Sequence, residues 1–165
     1  MAYLLPAEFA TKMVDAGEAK IYMSTRDTLI RAYMAGAILA LAAVFAITIA
    51  VQTGVFLIGA VLFPVGFCML YLMGFDLLTG VFMLTPLAWL AKRPGVTWSQ
   101  IFRNWGLVFC GNFAGALTVA FLMSFIFTMG YNTDGGAIAT KVSGIGEART
   151  LGYAQYGMEG WLTIF

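Results

Sequence analysis

The apolar run from Val55 to Leu90 is too long for one membrane helix, and it is broken where a spanning helix has no reason to stop. It holds 36 residues, which as a single helix would extend about 54 Å across an apolar core of about 30 Å. The interruption, Met73-Gly74-Phe75-Asp76-Leu77-Leu78-Thr79-Gly80, contains an acid, a threonine and two glycines. Non-helical backbone inside a bilayer persists only where protein or a water-filled cavity satisfies its N–H and C=O groups, and an intramembrane Asp carries the same requirement. The sequence therefore predicts two half-helices broken within 74–79, with Thr79 at the mouth of the second and a pathway beside it.

Hydrophobic residues make up 61% of the chain and charged residues 10%, against about 45–50% and 25% in soluble domains. An integral membrane protein follows. The first 30 residues hold no apolar segment with a small-residue cleavage site, so the first span serves as the targeting signal. A net charge of +1 argues against a nucleic-acid partner. There is no histidine, which removes the commonest proton-transfer and metal-binding side chain. Cys68 and Cys110 lie within apolar runs and are expected to be small buried hydrophobes rather than a disulfide or metal pair.

Pro6 to Lys20 places Phe9, Met13 and Ala16 on one face and Glu8, Lys12, Asp15 and Glu18 around the other, the pattern of a short interfacial helix. Residues 1–31 form this helix and its lead-in. Three spans are expected in 32–130: 32–51, 55–90 with its break, and 104–130. Lys92-Arg93-Pro94-Gly95 marks an exit into water between Trp89 and Trp98, which are placed as interfacial anchors. Residues 131–165 are expected to be an irregular, Gly-rich external loop and, from Trp161, the start of a fourth span. Seven basic residues lie in the N-terminal segment and the loop after the second span, against Lys141 and Arg149 on the other side, which puts the N-terminus in the cytoplasm. With its last apolar run only begun, the chain reads as the first part of a longer protein.

The entry Leu4-Leu5-Pro6-Ala7-Glu8, the break Gly74-Phe75-Asp76-Leu77-Leu78-Thr79 and the stretch from Asn104 to Leu117 together resemble the formate/nitrite transporters. Leu4-Leu5-Pro6-Ala7-Glu8 with Lys12, Ala16-Gly17 and Lys20 is similar to that family's N-terminal interfacial helix. Gly74-Phe75-Asp76-Leu77-Leu78-Thr79 resembles the Ω-loop that breaks its second helix, and Asn104 to Leu117, with Asn-Trp and Gly-Asn at this spacing, resembles its third. The resemblance implies an all-α membrane protein: an aquaporin-like, formate/nitrite-transporter-like helical bundle of which this chain supplies the first inverted repeat, with its broken second helix. It further implies a homopentamer in the plasma or inner membrane that passes small monovalent anions of weak acids, such as formate or nitrite, with a proton as partner.

The resemblance assigns Thr79 to the pore centre, Leu77 and Leu78 to the narrowing beside it, and Phe63 and Phe67 to apolar constrictions. Phe63 and Phe67 are also four residues apart, so one helix face can present both. Arg149, where the family has lysine, or alternatively Lys141, falls on the external basic position; an arginine keeps its proton where a lysine can release one. Lys12 and Lys20 could add to an anion-attracting potential, although charges facing water or lipid headgroups explain them more simply. The Thr79 hydroxyl suits a carboxylate or nitrite oxygen, and it could also serve as a helix N-cap. A carboxylate facing an anion path would repel its substrate, so Asp76 is expected to accept from loop N–H groups, with Gly74, Gly80 and Asn112 shaping and holding the loop. Gly111 and Gly115 form a G-x-x-x-G pair suited to close helix packing. Two other readings compete. A water or glycerol channel would carry Asn-Pro-Ala at the helix break, absent here; a non-transporting membrane anchor or assembly subunit would not need the break. Nothing resembles a nucleotide loop, a metal site or an activated nucleophile, so neither an enzyme nor a cofactor is expected.

Overall fold

A computed structural model describes residues 5–164, and among them the chain is all-helical, without a strand. The helices are α1 (Pro6–Tyr22), α2 (Thr25–Thr53), α3 (Phe56–Leu62), α4 (Val65–Met73), α5 (Leu78–Leu90), α6 (Trp98–Phe127), α7 (Gly136–Ala148), α8 (Leu151–Ala154) and α9 (Gly157–Ile164). Among the described residues, three stretches are long and apolar enough to cross a membrane: Thr25–Thr53, Phe56–Met73 and Trp98–Phe127. Local chemistry sets the starts. Pro6 opens α1, where a missing N–H costs nothing, and the Glu8 carboxylate accepts from Leu5 N–H at 2.9 Å. At the head of α2, Ser24 Oγ accepts from Asp27 N–H at 3.0 Å, and before α6 Gln100 Oε1 accepts from Thr97 N–H at 3.2 Å, both variations on the capping box.

The chain divides into two compact units. The first, residues up to Ala40 with Gly66–Thr118, carries α1, α4, α5 and the adjoining parts of α2 and α6. Its core joins Ile21, Ala88, Val96 and Ile101 in one cluster and Ala32, Val81 and Val108 in another, with Trp105 packed against both. Small residues let backbones touch. A Cβ on Gly115 would overlap the Tyr33 carbonyl, one on Gly36 the backbone of Asn112, and one on Gly17 the Leu84 carbonyl, so α2 meets α6 and α1 meets α5 at separations only glycine permits. The second unit, Leu41–Val65 with the residues from Val119 onward, packs α3 on the later turns of α2, where Gly59 lies against Ala46 and Ala50.

The break predicted in the long apolar run is present: α4 ends at Met73 and α5 begins at Leu78. Several expectations are corrected. Phe63 and Pro64 interrupt the first half of that run, α3 ending at Leu62 and α4 starting at Val65, because proline lacks the N–H that would continue the ladder; Phe63 thus closes α3 and Phe67 lies within α4. Cys68 and Cys110 are exposed, since an apolar run does not distinguish a face turned to protein from one turned to lipid. The stretch read as irregular holds α7, α8 and α9; its glycines weaken helix by only about 1 kcal/mol each, and Gly135, in the left-handed region at φ 79°, supplies the start of α7. Leu4 and Phe165 lie outside the described residues, and the fourth span expected from Trp161 is described only as helix backbone, to Ile164.

Candidate functional site

The loop between α4 and α5 is built from its glycine outward. Gly74 takes φ 70°, and the N–H groups of Gly74 and Phe75 return to the carbonyls of Tyr71 (3.3 Å) and Leu70 (3.0 Å). That double bond closes a helix in a Schellman motif, which needs a residue free to adopt the left-handed conformation. Arg31 Nη1 donates to the Gly74 carbonyl at 3.3 Å. Leu77, with extended φ −98° and ψ 139°, is the N-cap of α5 and has no side-chain oxygen to offer. Asn112 of α6 replaces it: Oδ1 accepts from Leu78 N–H at 2.9 Å, while Nδ2 donates to the carbonyls of Ala32 and Asp76, each at 2.8 Å. One amide thus ties α2, the loop and α5 together.

That arrangement leaves a specific remainder. Gly80 and Val81 N–H both bond the Leu77 carbonyl, at 3.0 and 3.2 Å, so the first turn of α5 is satisfied at Leu78, Gly80 and Val81. Thr79 is exposed. Its N–H and its hydroxyl have no partner among the described residues, and because Leu77 holds the N-cap, the alternative of Thr79 as a helix cap is set aside. Leu78 packs against Ala32, Val81 and Val108, whereas Leu77 lines a small cavity with Asp76 and Gly80. Gly80 has open space where a Cβ would stand, so packing does not require glycine there.

Asp76 is 2% exposed, and its carboxylate does not take loop N–H groups as expected. Oδ1 accepts from Lys20 Nζ of α1, and Oδ2 is buried without a partner among the described residues. Lys20 is thereby paired rather than facing headgroups, while Lys12 is exposed. Sequence reasoning missed the polar ties that hold α1 beside this loop. The Asn104 amide donates to the Lys20 carbonyl at 3.2 Å, and Arg93 bonds Asp15 and lies 3.5 Å from Glu18; Trp105 Nε1 in turn ties α6 to α5 through the Val81 carbonyl (3.2 Å) and Thr85 Oγ1 (3.0 Å). The Asn-Trp pair was visible as a motif, but spacing alone could not name a partner 84 or 24 residues away.

The second unit contains a cavity of about 380 Å³ bounded by α2, α3 and α7. Phe63, Lys141 and Arg149, singled out separately in the sequence, line it together, with Ala46, Ala50 and Phe56 among the apolar walls. Phe67 belongs to the other unit and is half-buried there. Among the described residues no cluster of His, Cys, Asp or Glu could hold a metal ion.

The family model for formate/nitrite transporters matches residues 7–165. The "Formate channel FocA" of Escherichia coli (strain K12) is 35% identical over 127 residues, covering 73% of this chain and 43% of FocA. The "Formate channel BtFdhC" of Bacillus thuringiensis is 30% identical over 73% of this chain and 48% of its own length. The "Uncharacterized transporter YrhG" of Bacillus subtilis (strain 168) is 29% identical over 90% of this chain and 56% of its own. The chain thus spans about half the length of these relatives. No solved structure gives a significant match. Family match and broken apolar helix agree: this multi-pass membrane protein belongs to the formate/nitrite transporter family.

Proposed function

We propose that the full-length protein is a channel or transporter for small monovalent anions of weak acids, of the formate and nitrite class, with protonation coupled to passage. The observation that carries this reading is the first turn of α5. Its other early N–H groups are bonded, and Thr79 keeps one backbone donor and one hydroxyl. A helix N-terminus favours negative charge, and a threonine hydroxyl both donates to an oxyanion and accepts from water. Two relatives carry formate channel in their names.

Apolar side chains set the chemistry of the route. We assign Phe67, Leu77 and Leu78 to its walls, and between such walls a bare anion faces a desolvation cost of up to tens of kcal/mol by Born estimates. The neutral acid crosses at far lower cost. Lys141 and Arg149 raise the local anion concentration by electrostatic focusing, with Lys12 adding to the potential elsewhere on the chain; a proton is then gained before the apolar stretch and released beyond it. The basic-residue bias supports a cytoplasmic N-terminus, and the family resemblance supports a homopentamer.

The test is uptake of isotope-labelled formate and nitrite by liposomes holding the full-length protein, across a pH series. Saturable uptake that rises as the outside is acidified is the expected result. Uptake indifferent to pH would remove the protonation step, and no uptake above protein-free liposomes would remove the reading altogether.

A further inference from the structure

We propose that the cavity bounded by α2, α3 and α7 is a binding site for amphiphilic monocarboxylates, anions with one carboxylate and an alkyl tail of several carbons. Its volume, about 380 Å³, falls in the range of small-molecule sites and far exceeds what the three non-hydrogen atoms of formate fill. The walls are Ala46, Ala50, Phe56 and Phe63, which offer an alkyl chain contact and offer a small hydrophilic ion nothing. The charge comes from one helix. Lys141 and Ile145 of α7 and Arg149 at its C-cap follow at steps of four, so this helix and its cap turn one face to the cavity. Neither cation has an acidic partner among the described residues. Apolar walls with unpaired positive charge at one side complement an amphiphile with a single anionic head. A dicarboxylate of the same length would have to bury its second charge among alanines and phenylalanines, which is unfavourable. This inference rests on the cavity and stands apart from the transport reading, although an occupied cavity would compete with any anion gathered at Lys141 and Arg149.

The experiment measures binding of butyrate, hexanoate and octanoate, below micellar concentrations, to the full-length protein in nanodiscs, with partition into empty nanodiscs subtracted. Saturable affinity should rise about fourfold per methylene, the increment expected for burying each CH₂, until the tail fills the cavity. Lys141→Gln with Arg149→Gln should lower octanoate affinity about tenfold while keeping the increment per methylene. Ala60→Leu, at an exposed position of the cavity wall, should shorten the chain length at which affinity levels off. Affinity that does not change along the series, or adipate binding as tightly as hexanoate, would overturn the proposal. Formate uptake is measured on the same preparations. Normal uptake with a flat series defeats this inference alone, whereas a rising series without uptake leaves it standing and defeats the transport reading.

Discussion

The loop of the first unit and the cavity of the second use polar groups in opposite ways. Around 74–79, polar groups mostly hold structure: Asn112 makes three bonds to backbone, Gly74 and Phe75 close α4, and Asp76 takes Lys20 of α1, with Thr79 the exception. Around the cavity, Lys141 and Arg149 face apolar walls and hold nothing in place. A rigid site with few free donors selects by geometry, and an apolar site with free cations selects by charge and size. Substitutions should therefore disturb folding in the first region and ligand preference in the second.

The sharpest break comes at the buried pair. Asp76 has a side chain 1% exposed and Lys20 one 16% exposed, so Lys20→Met leaves a carboxylate uncompensated and should cost about 3 kcal/mol, the lower end for such pairs because Lys20 keeps some water. Lys20→Met with Asp76→Leu should recover most of that loss, as measured by thermal unfolding of the purified protein. A single variant as stable as the parent would show that the loop is held without the pair. Next, Asn112→Ala leaves Leu78 N–H unsatisfied and should cost about 2 kcal/mol. Asn112→Asp should do no better, since its second oxygen would face the carbonyls of Ala32 and Asp76; a stable Asn112→Asp variant would contradict the bonding described.

Two glycines give a matched pair of smaller effects. Gly74→Ala, at φ 70°, should destabilise by about 1–2 kcal/mol, whereas Gly80→Ala, with open space at its Cβ, should be neutral or stabilising by up to about 1 kcal/mol. Equal effects would mean that the Schellman closure at Gly74 does not set the loop. Thr79→Val should leave the melting temperature unchanged and lower formate uptake roughly tenfold, the loss of one hydrogen bond to a charged oxygen. Thr79→Ser should retain most of the uptake, and if valine does so too, the hydroxyl has no part in transport.

How much of this was legible in the sequence depended on the range of the interaction. The break at 74–79 was readable because helix length and the cost of unsatisfied backbone are local quantities. Thr79 was placed near the helix start, yet its freedom depended on Asn112 capping Leu78 across 34 residues, which spacing does not encode. The partner of Asp76 is not legible in the sequence, because a buried carboxylate demands a donor but does not say which one, and the donor is Lys20 rather than the expected loop N–H groups. Cys68 and Cys110 were misplaced because hydrophobicity is the same signal toward lipid and toward protein. The helix α7 was lost to its glycines, and with it the reason Lys141 and Arg149 share one cavity.

The smallest effect tests the other half of the comparison. Lys141→Gln and Arg149→Gln remove charges that hold no structure, so each should change stability by no more than about 0.5 kcal/mol. Their influence should appear in transport, through potential rather than contact: several-fold slower formate uptake at low ionic strength for the double variant, with the gap to the parent narrowing as salt is raised. Screening sets that expectation, since the Debye length falls from about 30 Å at 0.01 M to about 3 Å at 1 M. A deficit that persists unchanged at high salt would mean that the cations touch the anion directly. A deficit accompanied by lost thermal stability would mean that α7 depends on them after all, and the division between a region that holds backbone and a region that holds ligand would fail on its second side.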